Sequence, residues 1–328
     1  MDVIETAQPR RAPEREGVSD SATELSPARR RRLPSASVGG DGHGRAIVLR
    51  LLAGIACALM AAGVKLASGR GANVIEIIFY RNAFSLPLIV GWIAMGPRSA
   101  GIAVRRPRAH VSRAVVGLAA TVLNFQAISM LPLAEATVIG FAVPFFATVL
   151  SAWLLGEEVR RHRWLAILIG LVGVLVVVQP GASHVPLAGA LVGVAAALGV
   201  AAVTVTLRQL GSTESATATV FWFAVTLTVV TGLSMPWLGQ AHDPATWMLL
   251  LWVGLTGGAA QLLNTASLRL APVSVLGPFD YTQLVWAAAI GWMIWDATPS
   301  PVTWIGAAVI MASGFYVVHR ERPNGQSA

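Results

Sequence analysis

Asp280 and Tyr281 stand inside a long apolar stretch, with Pro278 just before them and Gln283 just after. A carboxylate is costly to keep charged away from water, so one in this setting is a candidate to bind and release a proton. The nearby proline removes a backbone N–H and can leave a carbonyl free to help hold a ligand. The plainer reading of Asp280 is a salt bridge to Arg269 or to another arginine at the same end of the helices. Few other ionisable groups share such surroundings. Lys65, the single lysine of the chain, and Glu76 and Arg81 fall in the first two apolar stretches. Asn124, Asn264 and Trp286 add amide and indole groups to later ones. This set suits recognition of a small polar molecule of mixed charge.

Each of these residues also has a structural reading. Lys65 is near enough to a stretch end to reach the interface by its long stem. Glu76 can serve as a structural charge, paired with Lys65 or Arg81. Asn124 and Asn264 can join neighbouring helices by hydrogen bonds. Glu157 and Asp296 are expected to be structural charges at helix ends, Glu157 with Arg160 or Arg161. Trp222 and Trp286 lie deeper than the other tryptophans, at depths where they can line a cavity.

The elements that must hold these groups are legible in the composition. The chain is 55% apolar and only 12% charged, with mean hydropathy +0.65. Apolar runs of about 20 residues recur from Ile47 to Val318, each long enough to cross a hydrocarbon core of about 30 Å. They are apolar all round, unlike the striped helices of a soluble protein. The expected elements are ten helices, roughly 47–68, 74–95, 112–131, 134–155, 164–180, 187–207, 216–238, 246–268, 273–294 and 302–318. Residues 1–45 hold eight Arg and seven acids in Pro- and Ser-rich sequence and read as a disordered cytoplasmic tail. Residues 320–328 read as a second, C-terminal cytoplasmic tail. No cleavable signal is expected at the N-terminus. The N-terminal tail is nearly neutral, and the basic residues behind the net charge of +8 sit mainly in alternate loops, which speaks for topology rather than for nucleic acid.

Residues 127–157 and 266–296 look like one segment written twice. Ala127, Leu131 and Glu157 correspond to Ala266, Leu270 and Asp296 at a constant offset of 139. The flanking charges do not repeat: Val159–Arg163 is rich in arginine, whereas Ala297–Val302 has none. With the N-terminus inside, nearly every loop arginine falls on the cytoplasmic side and only Arg70 falls outside. Arginines mark that side. A five-helix unit repeated under this pattern must be inverted, an arrangement associated with alternating access about a central site.

The ordered set of motifs completes the reading. It runs Phe79–Arg81, Asn124–Phe146, Gly156–Glu157, Trp164, Gly170 and Gly173, then Ala266–Ala287, Asp296, Gly306 and Gly314. In this the chain resembles the drug/metabolite transporter superfamily, specifically its two-repeat EamA-type members, over residues 47–319. The resemblance implies an all-α integral membrane fold of ten helices, as two inverted five-helix repeats over 46–181 and 186–319. It implies a central cavity, a bacterial inner-membrane location and a secondary active transporter of a small organic solute. Efflux of an amino acid or related metabolite is favoured, and uptake of a cofactor-like solute such as riboflavin or S-adenosylmethionine is the alternative. Arg81 matches the arginine of the second span in this family, and Asp296 stands where many relatives carry Glu. The expected partners are the solute and the lipid bilayer, with a homodimer compatible and no nucleic acid. No cofactor, metal or catalytic residue is expected. All six histidines lie in tails, loops or helix ends, there is no phosphate-binding loop, and nothing points to a lipid- or prenyl-modifying enzyme.

Overall fold

A chain this apolar must satisfy its backbone polar groups internally, and helices do so within each segment. The computed structural model describes residues 40–95, 102, 107–157, 159–178, 186–210 and 215–320, which are helical apart from short connections. In chain order the helices are α1 (Gly40–Gly69), α2 (Val74–Met95), α3 (Pro107–Met130), α4 (Leu133–Gly140), α5 (Val143–Leu155), α6 (Arg161–Val178) and α7 (Leu187–Leu210). Then follow α8 (Ala216–Gly232), α9 (Met235–Leu238), α10 (Pro244–Leu270), α11 (Val273–Asp280), α12 (Thr282–Trp295) and α13 (Pro301–Arg320). Among the described residues, seven segments are long and apolar enough to cross a membrane, with α4 and α5 counted as one. Ala216–Gly232 and Pro301–Val317 are apolar but shorter. Large apolar side chains stand outward along the bundle, with Trp153 and Trp237 each 82% exposed. That is a surface for hydrocarbon rather than water.

Two expectations are corrected at the helix ends. Residues 40–45, read as tail, extend the first helix, and three of the expected helices are interrupted. The tail before residue 40, the arginines at 98, 105 and 106, and the chain after Arg320 lie outside the described residues. The break between α4 and α5 falls at Phe141–Ala142, where Pro144 occupies the first turn of α5 and needs no intrahelical partner. The break between α11 and α12 falls at Tyr281, just after Pro278 inside α11. Phe141 and Tyr281 both keep right-handed helical dihedrals, so each break is a kink within one path. Offset by 139, the two breaks fall within a residue or two of each other.

The helices pair reciprocally. α1 lies along α10 as α3 lies along α7; α2 packs on α10, and α8 on α3. α12 packs on α1 as α5 packs on α7, while α6 pairs with α13 and α2 with α8. Small residues allow these approaches. A Cβ on Gly306 would sit 2.8 Å from the Gly173 carbonyl oxygen, so the crossing of α6 and α13 requires both glycines. On α7, Gly189 and Gly193 receive Leu131 and Ile139. Two large apolar clusters result among the described residues, besides a small third one at Ala46, Ala271 and Leu276. One centres on Val138, Ile139 and Ile310, the other on Ile77, Val64 and Leu250.

Candidate functional site

Arg50, Gly54 and Cys57 recur at helical spacing on one face of α1, and that face forms a wall of a cavity of about 820 Å³. The opposite walls come from the kinks: Gly140, Phe141 and Pro144 at one, Pro278, Asp280 and Tyr281 at the other. The cavity extends toward the end of the bundle where α6 begins and α13 ends, at Arg163 and Val317.

The polar centre of the cavity is a bidentate ion pair. Arg50 Nε donates to Asp280 Oδ1, and Arg50 Nη2 donates to Oδ2 at 2.6 Å. Arg50 Nη1 donates to Asn264 Oδ1 at 2.9 Å. One guanidinium thus joins α1, α10 and α11, in the planar fork geometry that suits a carboxylate. The Arg50 side chain is 13% exposed and the Asp280 side chain 43%, so the carboxylate is the more accessible member of the pair. Tyr281 turns its ring onto Phe141, centroids 5.0 Å apart, and onto Phe315 at 5.5 Å. Its hydroxyl lies over Gly314, where a Cβ would come within 2.1 Å of it.

Of the residues singled out from sequence, Asp280, Asn264 and Tyr281 share this cavity. The partner of Asp280 is Arg50; Arg269 instead donates to Thr217 Oγ1 at 2.8 Å and lies over the Trp92 ring. Lys65, Arg81, Asn124 and Trp286 are not on the cavity wall. Lys65 donates to the Leu131 carbonyl at 2.6 Å, beyond the end of α3, where the helix dipole favours a cation. Arg81 packs against Gly257 of α10, and Asn124 is half-buried on α3. Trp286 is 40% exposed, because Leu284, Ala287, Ala288 and Gly291 form the buried face of α12 and Trp286 falls off it. Trp222 donates its indole N–H to the Ile102 carbonyl at 2.7 Å instead of lining the cavity.

Glu76 pairs with neither Lys65 nor Arg81. Its Oε2 accepts from the Asn73 N–H at 3.3 Å while Asn73 Oδ1 accepts from the Ile75 N–H, a capping arrangement at the start of α2. Its Oε1 lies 2.9 Å from His242 Nε2 and accepts from the Gln240 N–H at 3.2 Å. Arg81 is five residues on, about 140° around the helix, and faces elsewhere. Glu157 is exposed beyond α5. Asp296 ends α12 in the left-handed region, at φ 52°.

Two residues escaped the sequence reading. Arg50 lies so close to the basic tail that it reads as a flanking charge; its place inside an apolar run was the available signal. Glu135 follows Pro132 at the start of a helix, where an acid is unremarked. Tertiary packing buries it, with Thr303 Oγ1 of α13 donating to Oε1 at 3.1 Å and Oε2 without a hydrogen-bond partner among the described residues.

Comparison with known proteins agrees with this architecture. The profile of the EamA-like transporter family matches residues 44–179 and again 187–318. The pseudopaline exporter of Pseudomonas aeruginosa is 30% identical over 272 residues, 81% of this chain and 93% of that protein. A riboflavin transporter of Rhizobium johnstonii is 27% identical over 73% of this chain and 77% of its own length. An S-adenosylmethionine uptake transporter of Rickettsia bellii is 23% identical over 75% and 84%. A solved crystal structure shares the fold, with TM-score 0.58 and 19% identity over 85% of this chain and 99% of that one. Matched by the family in both halves, and 30% identical to one transporter over nearly its full length, the chain belongs to the EamA-like transporter family and is a small-solute transporter of that type.

Proposed function

We propose that the protein is a secondary active transporter of the bacterial inner membrane that exports a small zwitterionic metabolite by alternating access. It crosses the membrane ten times, as two inverted five-helix repeats over 46–181 and 186–319, with both termini in the cytoplasm. The reciprocal helix pairing and the matching kinks support the two-repeat reading. In this topology the cavity opens toward the cytoplasm, since α6 begins and α13 ends there.

The observation that carries the mechanism is the Arg50–Asp280 pair across the cavity between α1 and α11. Asp280 is the proton-coupling residue. Ionised, it holds Arg50 and ties the two helices. Protonated, it loses the charge that makes the bond strong, and α1 is freed from α11. A solute bearing both an ammonium and a carboxylate can take the places of Arg50 and Asp280 with each other's partners. Export is favoured by the likeness to an exporter that covers most of both chains. Uptake of a cofactor-like solute is the second reading, favoured by the riboflavin and S-adenosylmethionine relatives.

The test is metabolite profiling of cells and medium with the parent protein, Asp280→Asn and an empty vector. A solute enriched in the medium with the parent alone, and reduced at least about tenfold in rate by Asp280→Asn, is the expected result. Enrichment inside the cells selects the uptake reading. Full flux with unchanged pH dependence in Asp280→Asn would remove Asp280 from coupling.

A further inference from the structure

Lys65 and Glu135 are charged groups set against the core, and neither has a part in the cavity. Glu135 is only 6% exposed. Its Oε1 accepts from Thr303 Oγ1 of α13, and the Ser300 hydroxyl lies 3.0 Å from that of Thr303. Its Oε2 has no hydrogen-bond partner among the described residues. A carboxylate so placed calls for a compensating charge, and Lys65 of α1 interacts with it electrostatically. The Lys65 ammonium hydrogen-bonds the Leu131 carbonyl, at the turn between α3 and α4, and lies 5.8 Å from the centroid of the Trp295 ring at the end of α12. These contacts join α1, the α3–α4 turn, α12 and α13, elements drawn from both halves matched by the family.

Their place along α1 sets them apart from the Arg50–Asp280 pair. On α1 the cavity is lined by Arg50, Ala53, Gly54 and Cys57. Beyond Cys57, Ala61, Ala62, Val64 and Ala67 are buried in one apolar cluster with Ile77 of α2, Phe125 of α3, Leu133 of α4 and Ala287 of α12. The bundle is thus hollow along one half of α1 and packed along the other. Lys65 stands in the packed half, about 22 Å beyond Arg50 at the helical rise per residue. Apolar contacts there are non-directional and tolerate sliding, whereas a charge-assisted hydrogen bond fixes one position.

We propose that Lys65 and Glu135 form the outer latch of the transport path, holding α1 and α13 to the α3–α4 turn while the cavity is open to the cytoplasm. The proposal rests on the alternating-access reading and gives that reading its periplasmic closure. Lys65 supplies the bond, and Glu135 holds the ammonium in place by its charge while tying α4 to α13 through Thr303. Opening to the outside breaks the bond to the Leu131 carbonyl.

Cys57, the chain's single cysteine, lies on the cavity wall and reports which side reaches it. The experiment measures its alkylation by a membrane-impermeant maleimide in right-side-out and in inside-out vesicles, for variants that extract as monodisperse protein. The readout is the ratio of the outside rate to the cytoplasmic rate. Lys65→Met is expected to raise the ratio about tenfold, the scale of one hydrogen bond to a charged group. It does so reciprocally, with faster labelling from outside and slower labelling from the cytoplasm. Lys65→Arg keeps most of the parent ratio. Glu135→Gln raises the ratio in the same direction, and adding it to Lys65→Met raises it by less than the sum of the two separate effects, because the two residues act as a unit. Thr137→Val removes a hydroxyl that bonds only the Leu133 carbonyl of its own helix, and leaves the ratio unchanged. A ratio unmoved by Lys65→Met, or labelling raised on both faces alike, would overturn the latch while alternating access stands. Labelling absent from the outside in the parent and in every variant removes alternating access at this cavity, and the latch with it.

Discussion

Arg50 is bound at three points by two helices that are not its own, and its removal should be felt in both stability and activity. Arg50→Ala leaves Asp280 and Asn264 without their donor and is expected to cost about 2 kcal/mol, the scale of hydrogen bonds to a charged group. A thermal shift in detergent reads this. Arg50→Ala combined with Asp280→Ala should recover part of the loss, because no unpaired charge then remains, while transport stays absent. Full additivity of the two losses would show that the side chains do not act as a pair. At this scale the sequence was partly legible. Asp280 declares itself because a carboxylate between Phe279 and Tyr281 has no local partner. Arg50 does not, because charge near a span end has an ordinary explanation in topology, and its counter-ion is 230 residues away. Lys65 and Trp286 were expected to line the cavity from their depth in sequence, but depth does not tell which way a side chain turns, and neither is on the cavity wall.

The helices themselves follow from bilayer thickness and apolar composition, which is why most of their ends were legible to within a few residues, the starts of α1 and α3 excepted. The kinks were only indicated. Pro144 and Pro278 weaken their helices, but the breaks fall at Phe141–Ala142 and Tyr281, where the two paths cross and the rings stack edge to face. The close approach of α2 and α10 is a further feature of packing. A Cβ on Gly254 would stand 2.4 Å from the Cβ of Phe84 and 3.1 Å from the Tyr80 carbonyl oxygen, neither of which is the free end of a flexible chain. Gly254→Ala is expected to destabilise by about 1–3 kcal/mol through overpacking. Gly91→Ala on α2, with nothing within 4 Å of its added Cβ, is the matched control and should be neutral or slightly stabilising in the same thermal assay. Equal effects of the two would mean that α2 and α10 are not held this closely.

At the scale of the whole molecule, the cavity that holds the Arg50–Asp280 pair lies between elements drawn from both halves of the chain, with Cys57 on its wall. The family profile matches twice, over residues 44–179 and 187–318, in keeping with the offset of 139 read from the sequence. A central cavity was expected from the family resemblance, but its wall on α1 was not legible, because it depends on how the kinks of α4–α5 and α11–α12 face α1. Alternating access requires that the same wall be reached from each side of the membrane in turn. The most direct measurement is alkylation of Cys57 by a membrane-impermeant maleimide in right-side-out and in inside-out vesicles. Labelling is expected in both orientations, faster from the cytoplasmic face, with Asp280→Asn shifting the balance between them. Labelling confined to one face, with and without a pH gradient and in both proteins, would contradict alternating access at this cavity.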